Sequence, residues 1–299
     1  MTLPYTTPPA FRRALTDRLR AVAHPRGPWP LAELQRQFAY DRLLARLYQH
    51  DSEWIVKGAT ALLARELAVR RTVDIDLYRA TTASQAEQAL REAAALDLGD
   101  WFGFETGRAT PVADGTTGLR ISVTARLGTT TWSSFHVDLV AENIRMTGTP
   151  DAVPALLPLD LPGLDRPGYQ AYPLVDHLAD KTCAILEPHG PQRRPSTRFK
   201  DLVDLVAVIT QTPIPAHPQT TALHSEARRR GLSLPARFAV PDRELWERGY
   251  PAEARRAHAI PATTLDEALA LAKPFLDPLL NRTAAGTWNA HTASWEPSA

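Results

Sequence analysis

Two carboxylates one residue apart, Asp74-Ile75-Asp76, begin fourteen residues after Thr60 of the segment Lys57-Gly58-Ala59-Thr60. On a β-strand the two-residue repeat puts Asp74 and Asp76 on one side of the sheet with Thr72 in the same row, while Val73, Ile75 and Leu77 face the packed side. Like charges held side by side repel unless a cation separates them, and paired carboxylate oxygens suit the hard ions Mg²⁺ or Mn²⁺. The spacing predicts a divalent metal site. Asp138 is the candidate third ligand. Leu119 to Leu127 and Ser133 to Ala141 read as hairpin strands, and Asp138 interrupts the otherwise apolar run of Val137, Leu139 and Val140. A carboxylate so placed needs a partner, and in-line displacement at two ions roughly 3.5–4 Å apart needs carboxylates that can bridge them.

The elements that must hold these groups are also legible. Glu53 to Val56 reads as a short strand, Lys57-Gly58 as a tight turn, and Ala59 to Leu67 as a helix of strong helix formers. A helix that starts at such a turn leaves N–H groups and the Thr60 hydroxyl available where the dipole favours anions, so phosphate is expected there. A phosphate-binding turn beside a carboxylate pair is the minimum needed to hold a nucleoside triphosphate with its metal, and points to phosphoryl or nucleotidyl transfer.

Lys57-Gly58-x-Thr60 followed by Arg71-Thr72-x-Asp74-x-Asp76-Leu77 resembles the opening of the AbiEii/AbiGii nucleotidyltransferase toxins, a family that includes the MenT toxins and shares a DNA polymerase β-like core. The second half of the pattern follows: Asp180-Lys181 on one helix, then Arg198-Phe199-Lys200-Asp201-Leu202-Val203-Asp204 on the next. Together the matches span roughly residues 50–210. One departure is Gly58-Ala59, where many members have Gly-Gly. The resemblance implies a toxin of a toxin–antitoxin or abortive-infection pair that moves a nucleotide from an NTP to the 3′ end of tRNA and blocks aminoacylation, with a cognate antitoxin as partner. It implies Asp74, Asp76, Asp138, Lys181 and Asp204 as catalytic residues, the first three of them holding Mg²⁺ or Mn²⁺. Lys57, Gly58, Thr60, Arg71 and Lys200 would bind the nucleotide. Thr72 stands where some members carry a Ser or Thr that becomes phosphorylated; a phosphate there would add about two negative charges at the mouth of the metal site.

Lysine usage agrees with these motifs. Of 34 basic residues only Lys57, Lys181, Lys200 and Lys273 are lysines, and three of the four lie in the motifs. A compact ammonium is not replaced by a guanidinium where a tight site must meet phosphate with a point charge. On a helix over Tyr172 to Leu186, the row Leu174, Leu178, Lys181, Ile185 follows the spacing of a buried face, so Lys181 is expected to point inward and to need an anion. On the next helix, Thr197 to Gln211, Leu202, Leu205, Val206 and Ile209 are buried. There Lys200 and Asp204 read equally as an exposed i, i+4 pair or with Asp204 turned toward Lys181 or the nucleotide.

The 299 residues, 44% apolar and 22% charged, suit a globular chain with two modest cores. No run of about 18 apolar residues is present, and Met1 to Pro9 lacks a signal-peptide core, so a cytoplasmic protein is expected. Cys183, the single cysteine, reads as a packing residue. Arg12 to Val22 and Leu31 to Gln49 read as helices, Thr147 to Pro173 as mostly loop, and the remainder as helical with a break at Pro213 to Pro218. The expected fold is an α/β (α+β) core with a mixed sheet and two leading helices over residues 1–150, a loop over 151–172, and a mainly helical lobe over 173–299, with the active site in the cleft between lobes. The tail from Thr283 is expected to dock or to bind a partner.

Net charge is only +1, so RNA would meet local clusters: Arg193-Arg194 with Arg198 and Lys200, Arg228-Arg229-Arg230, and Arg255-Arg256. Tryptophans such as Trp132, Trp246, Trp288 and Trp295 either stack on bases or pack. Two other readings stand beside tRNA modification: nucleotidyl transfer to a protein or small molecule, and a catalytically idle protein that binds nucleic acid or antitoxin.

Overall fold

The computed structural model describes residues 4–112, 118–141, 144 and 146–297. The chain divides into two compact units, one of Met1–Glu66, Arg71–Ile144 and Pro150–Ala171, the other of Leu67–Arg70, Arg145–Thr149 and Tyr172–Ala299.

The first unit begins with helices α1 (Pro8–Val22) and α2 (Leu31–His50). Pro8 and Pro9 sit in the first turn of α1, where backbone N–H groups lack helical partners, and the Thr7 hydroxyl accepts a hydrogen bond from Ala10 N. There follow β1 (Ile55–Lys57), α3 (Gly58–Ala64), β2 (Asp74–Arg79), α4 (Ala83–Ala94), β3 (Phe102–Pro111), β4 (Gly118–Leu127), β5 (Thr130–Ala141), β6 (Asp151–Val153) and β7 (Tyr169–Ala171). The strands form one mixed sheet in the order β3-β4-β5-β2-β1-β7-β6. β2 runs parallel to β5 and β1 parallel to β7, while β1 and β2 are antiparallel. The α/β class expected from the sequence is the class observed.

Local chemistry explains these elements. β4 and β5 are joined at Gly128, whose φ of 60° is inexpensive without a Cβ. One face of β2, β4 and β5 carries Ile75, Leu77, Ile121, Val123, Val137 and Leu139, all buried. Helices α2 and α4 lie against β5, and the Tyr40 ring of α2 meets Phe135 edge-on with centroids 4.8 Å apart. Asp100, fully buried, is compensated by Arg42 at 2.6 Å and Arg46 at 2.7 Å.

Two expectations need correction in this unit. Val73 precedes β2 and is 52% exposed, so only Ile75 and Leu77 face the packed side. The Thr147 to Pro173 segment is mostly loop as expected, and its two short strands, β6 and β7, extend the sheet beyond β1. α3 stops at Ala64, short of Leu67, and Glu66 adopts a left-handed φ of 59°.

The second unit contains α5 (Leu174–Leu186), α6 (Phe199–Ile209), β8 (Ile214–Pro215), α7 (Ala216–Arg229), α8 (Arg243–Ala254), α9 (Leu265–Leu280), β9 (Thr287–Asn289) and β10 (Ser294–Glu296). α5 packs on α6 and α7, and α6 also meets α8 and α9. Asp242 and Thr264 cap α8 and α9, the latter through a reciprocal capping box with Glu267. The C-terminal tail docks: β9 pairs with β8 and β10, Trp288 is 1% exposed, and its indole N–H donates to Ile209 O. Trp54, Trp132 and Trp246 are buried as well, so these tryptophans pack and do not present open faces to bases.

Candidate active site

The first unit brings Asp74, Asp76 and Asp138 onto one face through sheet register. Asp76 pairs with Asp138 across β2 and β5, and Asp74 pairs with His136. The row of Asp138 continues in both directions, to Arg120 on β4 and, beyond Asp76, to Lys57 on β1. Registered neighbours share a sheet face, so one row across four strands reads Arg120, Asp138, Asp76, Lys57: two carboxylates flanked by two cations. The row behind it holds Ser122, His136 and Asp74. All of these are intermediate or exposed, whereas Val56, Ile75, Leu77, Ile121, Val123, Val137 and Leu139, which alternate with them, are buried.

Arg120 was not singled out from sequence, yet it reaches two of the three carboxylates. Its Nε donates to Asp138 Oδ1 at 2.7 Å and its Nη2 to Asp138 Oδ2 at 2.6 Å, while Asp74 Oδ2 lies 3.6 Å from the same guanidinium. The hydrogen bond to Asp138 holds the Arg120 pKa above its ordinary value, against a smaller opposing effect of burial. His136 Nδ1 stands 3.5 Å from Asp74 Oδ1. The signal for Arg120 was its place on β4, readable only once the strand pairing is known.

Gly58 makes room for Asp76. It has φ 55°, and a Cβ at this position would lie 1.8 Å from Asp76 Oδ2. The turn thus brings bare backbone against the carboxylate, which no other residue type permits without displacement. Thr60 differs from the expectation that its hydroxyl faces phosphate. It is fully buried, and its Oγ1 donates to Asp74 O at 3.3 Å, because the first turn of α3 is packed against β2. The Thr72 hydroxyl donates to the same carbonyl at 3.0 Å, Tyr40 Oη donates to Thr72 O at 3.2 Å, and Thr72 is 7% exposed. Two hydroxyls therefore fix the backbone of Asp74. Arg71 is exposed and Lys57 half-buried.

Asp74, Asp76 and Asp138 offer hard carboxylate oxygens, the donor type that Mg²⁺ or Mn²⁺ takes, from one face of β2 and β5. As the side chains stand, no group of three His, Cys, Asp or Glu among the described residues encircles a common point. Both oxygens of Asp138 are turned to Arg120.

The second unit holds a different cluster. Lys181 on α5 is buried, and its Nζ donates to Asp201 Oδ1 at 2.9 Å and Asp204 Oδ2 at 2.6 Å on α6. Arg70 grips Asp204 with two bonds, Nε to Oδ1 at 2.8 Å and Nη2 to Oδ2 at 2.7 Å. The inward lysine has its anions, and Asp204 faces Lys181 and Arg70 and not Lys200, which is exposed at the start of α6. Burial alone would raise the Asp204 pKa, but Lys181 and Arg70 outweigh it and hold the carboxyl down at about 2. For Lys181, burial opposes the charge, and Asp201 and Asp204 more than restore it, raising its pKa. Arg70, 134 residues from Asp204, left no local signal in the sequence. Cys183 is buried, with its thiol pushed up to about 12 by burial, which fits packing and not nucleophilic chemistry.

A mixed sheet carrying paired carboxylates beside a glycine turn is the arrangement expected from the sequence for a nucleotidyltransferase. Residues 42–294 match the family model described as nucleotidyl transferase AbiEii toxin, type IV toxin–antitoxin system, and the chain belongs to this family. Solved structures similar to it include MenT4, a nucleotidyltransferase toxin from Mycobacterium tuberculosis H37Rv, at 16% identity over 73% of this chain and 69% of that one with a TM-score of 0.46. JHP933 from Helicobacter pylori is also similar, at 14% identity over 82% of this chain and 92% of that one with a TM-score of 0.46. No match was found among curated proteins.

Proposed function

We propose that the chain is a metal-dependent toxin that transfers NMP from an NTP to the 3′ end of tRNA and thereby blocks aminoacylation, under control of a cognate antitoxin. The observation that carries this reading is the in-register pair Asp76 and Asp138, with Asp74 on the same face and Gly58 against Asp76. Asp74, Asp76 and Asp138 would hold Mg²⁺ or Mn²⁺, which when bound supplies Lewis-acid stabilisation of the α-phosphate and the departing pyrophosphate.

The chain's own residues do the remainder. Thr60 and Thr72 position Asp74 through its carbonyl. Lys57, Gly58 and Arg71 would contact the NTP, and Lys200 is assigned to nucleotide binding by its place in the family motif. Lys181 and Asp204 are assigned to catalysis by their place in the family motif, with the ammonium kept charged by the carboxylates around it. Phosphorylation of Thr72 would silence the site, and a kinase reaching that hydroxyl must first break its bond to Asp74 O.

Charge distribution favours RNA as acceptor. Arg193, Arg194, Arg198 and Lys200 are all exposed within eight residues, with Arg198 3.7 Å from Asp201. By contrast Arg229 and Arg230 are both paired with Glu226, and Arg230 also with Glu187. The first strip therefore keeps more positive charge for phosphates. Among the described residues no helix is long and apolar enough to cross a membrane.

The test is incubation with each labelled NTP, Mg²⁺ or EDTA, and either total tRNA or protein extract. Label in tRNA that disappears with EDTA and with Asp76→Asn is the expected result. Label only in protein would overturn the acceptor, and tRNA labelling undiminished by EDTA would overturn the metal.

A further inference from the structure

The row Arg120, Asp138, Asp76, Lys57 raises a question of stoichiometry. A carboxylate has two oxygens, and Arg120 engages both of those on Asp138 in a fork while also approaching Asp74. A divalent ion drawing on Asp138 needs at least one of the same oxygens. Each oxygen can accept more than one partner, but guanidinium and ion are both cations drawn to the same two oxygens, so each weakens the hold of the other.

We propose that Arg120 is a positioning residue that exchanges partners: it guards Asp138 against metal and, when the ion takes Asp138, turns its fork to the phosphates of the NTP. This rests on the metal site described above and deepens it. Three observations support the exchange. Arg120 is 44% exposed at its side chain while Asp138 is 16% exposed, so the guanidinium can leave without being buried elsewhere. Register fixes Arg120 one strand from Asp138 and two from Asp76, so its Cα stays beside the carboxylates whichever partner the side chain chooses. A planar fork matches two phosphate oxygens as well as it matches a carboxylate, which an ammonium does not. The geometry also orders the steps: free metal meets a guarded site, whereas a metal arriving with its triphosphate offers Arg120 a replacement partner in the same event. The site would thus favour the metal–nucleotide complex over the bare ion.

Mn²⁺ binding followed by the electron paramagnetic resonance of the free ion, without nucleotide, tests the first half. Binding of α,β-methylene NTPs with Mn²⁺ tests the second. Arg120→Gln is expected to bind Mn²⁺ about tenfold more tightly than the parent and the metal–nucleotide at least tenfold more weakly. Arg120→Lys keeps the charge without the fork, so Mn²⁺ affinity should fall between the two while nucleotide binding stays weak. If Arg120→Gln leaves Mn²⁺ affinity unchanged or lowers it, the guarding role is overturned. If nucleotide binding is unchanged in both variants, the exchange is overturned. Asp76→Asn separates this from the underlying site: Mn²⁺ affinity equal in Asp76→Asn and the parent means that the carboxylates hold no metal, a failure of the site and not of Arg120 alone. Circular dichroism of each variant confirms the fold.

Discussion

The two charged clusters of this molecule are built on opposite principles. In the second unit, Lys181 and Arg70 face Asp201 and Asp204, two cations against two anions, with Asp204 1% exposed at its side chain. In the first unit, Asp74, Asp76 and Asp138 are partly exposed; Arg120 reaches Asp138 and Asp74 from the exposed face, and His136 stands 3.5 Å from Asp74. The closed cluster is compensated and gains from staying shut. The open one keeps an excess of carboxylate where solvent and solutes reach it, an arrangement that lowers stability unless another cation binds. Removing a charge should therefore cost function but not folding in the first unit, and folding as well as function in the second.

The largest effect is expected from Asp76→Asn. Losing one of the paired carboxylates should lower nucleotide incorporation by about 10³-fold, while the melting temperature stays level or rises as like charges are thinned. A melting temperature several degrees lower would mean that the first cluster is structural too, and the contrast would vanish. For the second unit, Lys181→Met leaves two carboxylates short of a cation and should cost about 3–5 kcal/mol in urea unfolding. A cost below about 1 kcal/mol would show that the buried cluster tolerates opening.

Acid sharpens the same contrast. The Asp204 pKa of about 2 lies below an unfolded value of about 3.9, so its contribution is complete at pH above 3.9 and is lost as pH falls through about 2. That contribution is about 2–3 kcal/mol. The stability gap between the parent and Asp204→Asn should hold from pH 6 to pH 4 and then narrow. At the alkaline end, the raised pKa of Lys181 keeps its contribution present below the unfolded value of about 10.4 and loses it as pH rises through the folded value. A gap that does not change between pH 4 and pH 2 would place the stabilisation elsewhere than in the Asp204 charge.

Gly58→Ala probes how tightly the open cluster is held. Alanine would adopt a left-handed φ of 55° and bring its Cβ to 1.8 Å from Asp76 Oδ2, so Asp76 must move. The backbone strain should cost about 1–3 kcal/mol, and the displaced carboxylate should weaken Mn²⁺ binding. Wild-type Mn²⁺ affinity in this variant would show that Asp76 has slack.

Sequence alone reached the parts of this design that repeat at short range. The Asp74-x-Asp76 alternation, the Lys57-Gly58 turn, the β4–β5 hairpin and the inward row of Lys181 each follow from a period of two or 3.6 residues. What escaped depends on which strands and helices are neighbours. Arg120 meets Asp138 because β4 pairs with β5, and Arg70 meets Asp204 across 134 positions. β3 escaped for another reason: its sequence Phe-Gly-Phe-Glu-Thr-Gly-Arg-Ala-Thr-Pro mixes Gly, Pro and polar residues because it is an edge strand with only Phe102 fully packed. α4 did carry a signal, the Thr82 to Gln85 capping box.

The smallest expected effect decides what Thr60 does. From sequence its hydroxyl stands at a helix start and reads as a phosphate ligand; in the fold it lies inside and donates to Asp74 O, which also accepts from Thr72. Thr60→Val keeps the branched shape and the backbone N–H and removes only the hydroxyl. Because the carbonyl retains Thr72 as donor, no acceptor is left orphaned, and the loss should stay below about 1 kcal/mol. If the hydroxyl serves Asp74 alone, KM for the NTP should shift by less than about threefold, with any loss falling on kcat through a less well fixed Asp74. A KM at least tenfold higher with kcat intact would instead put the hydroxyl on the triphosphate, and would mean that α3 rotates by enough to free a side chain now fully enclosed.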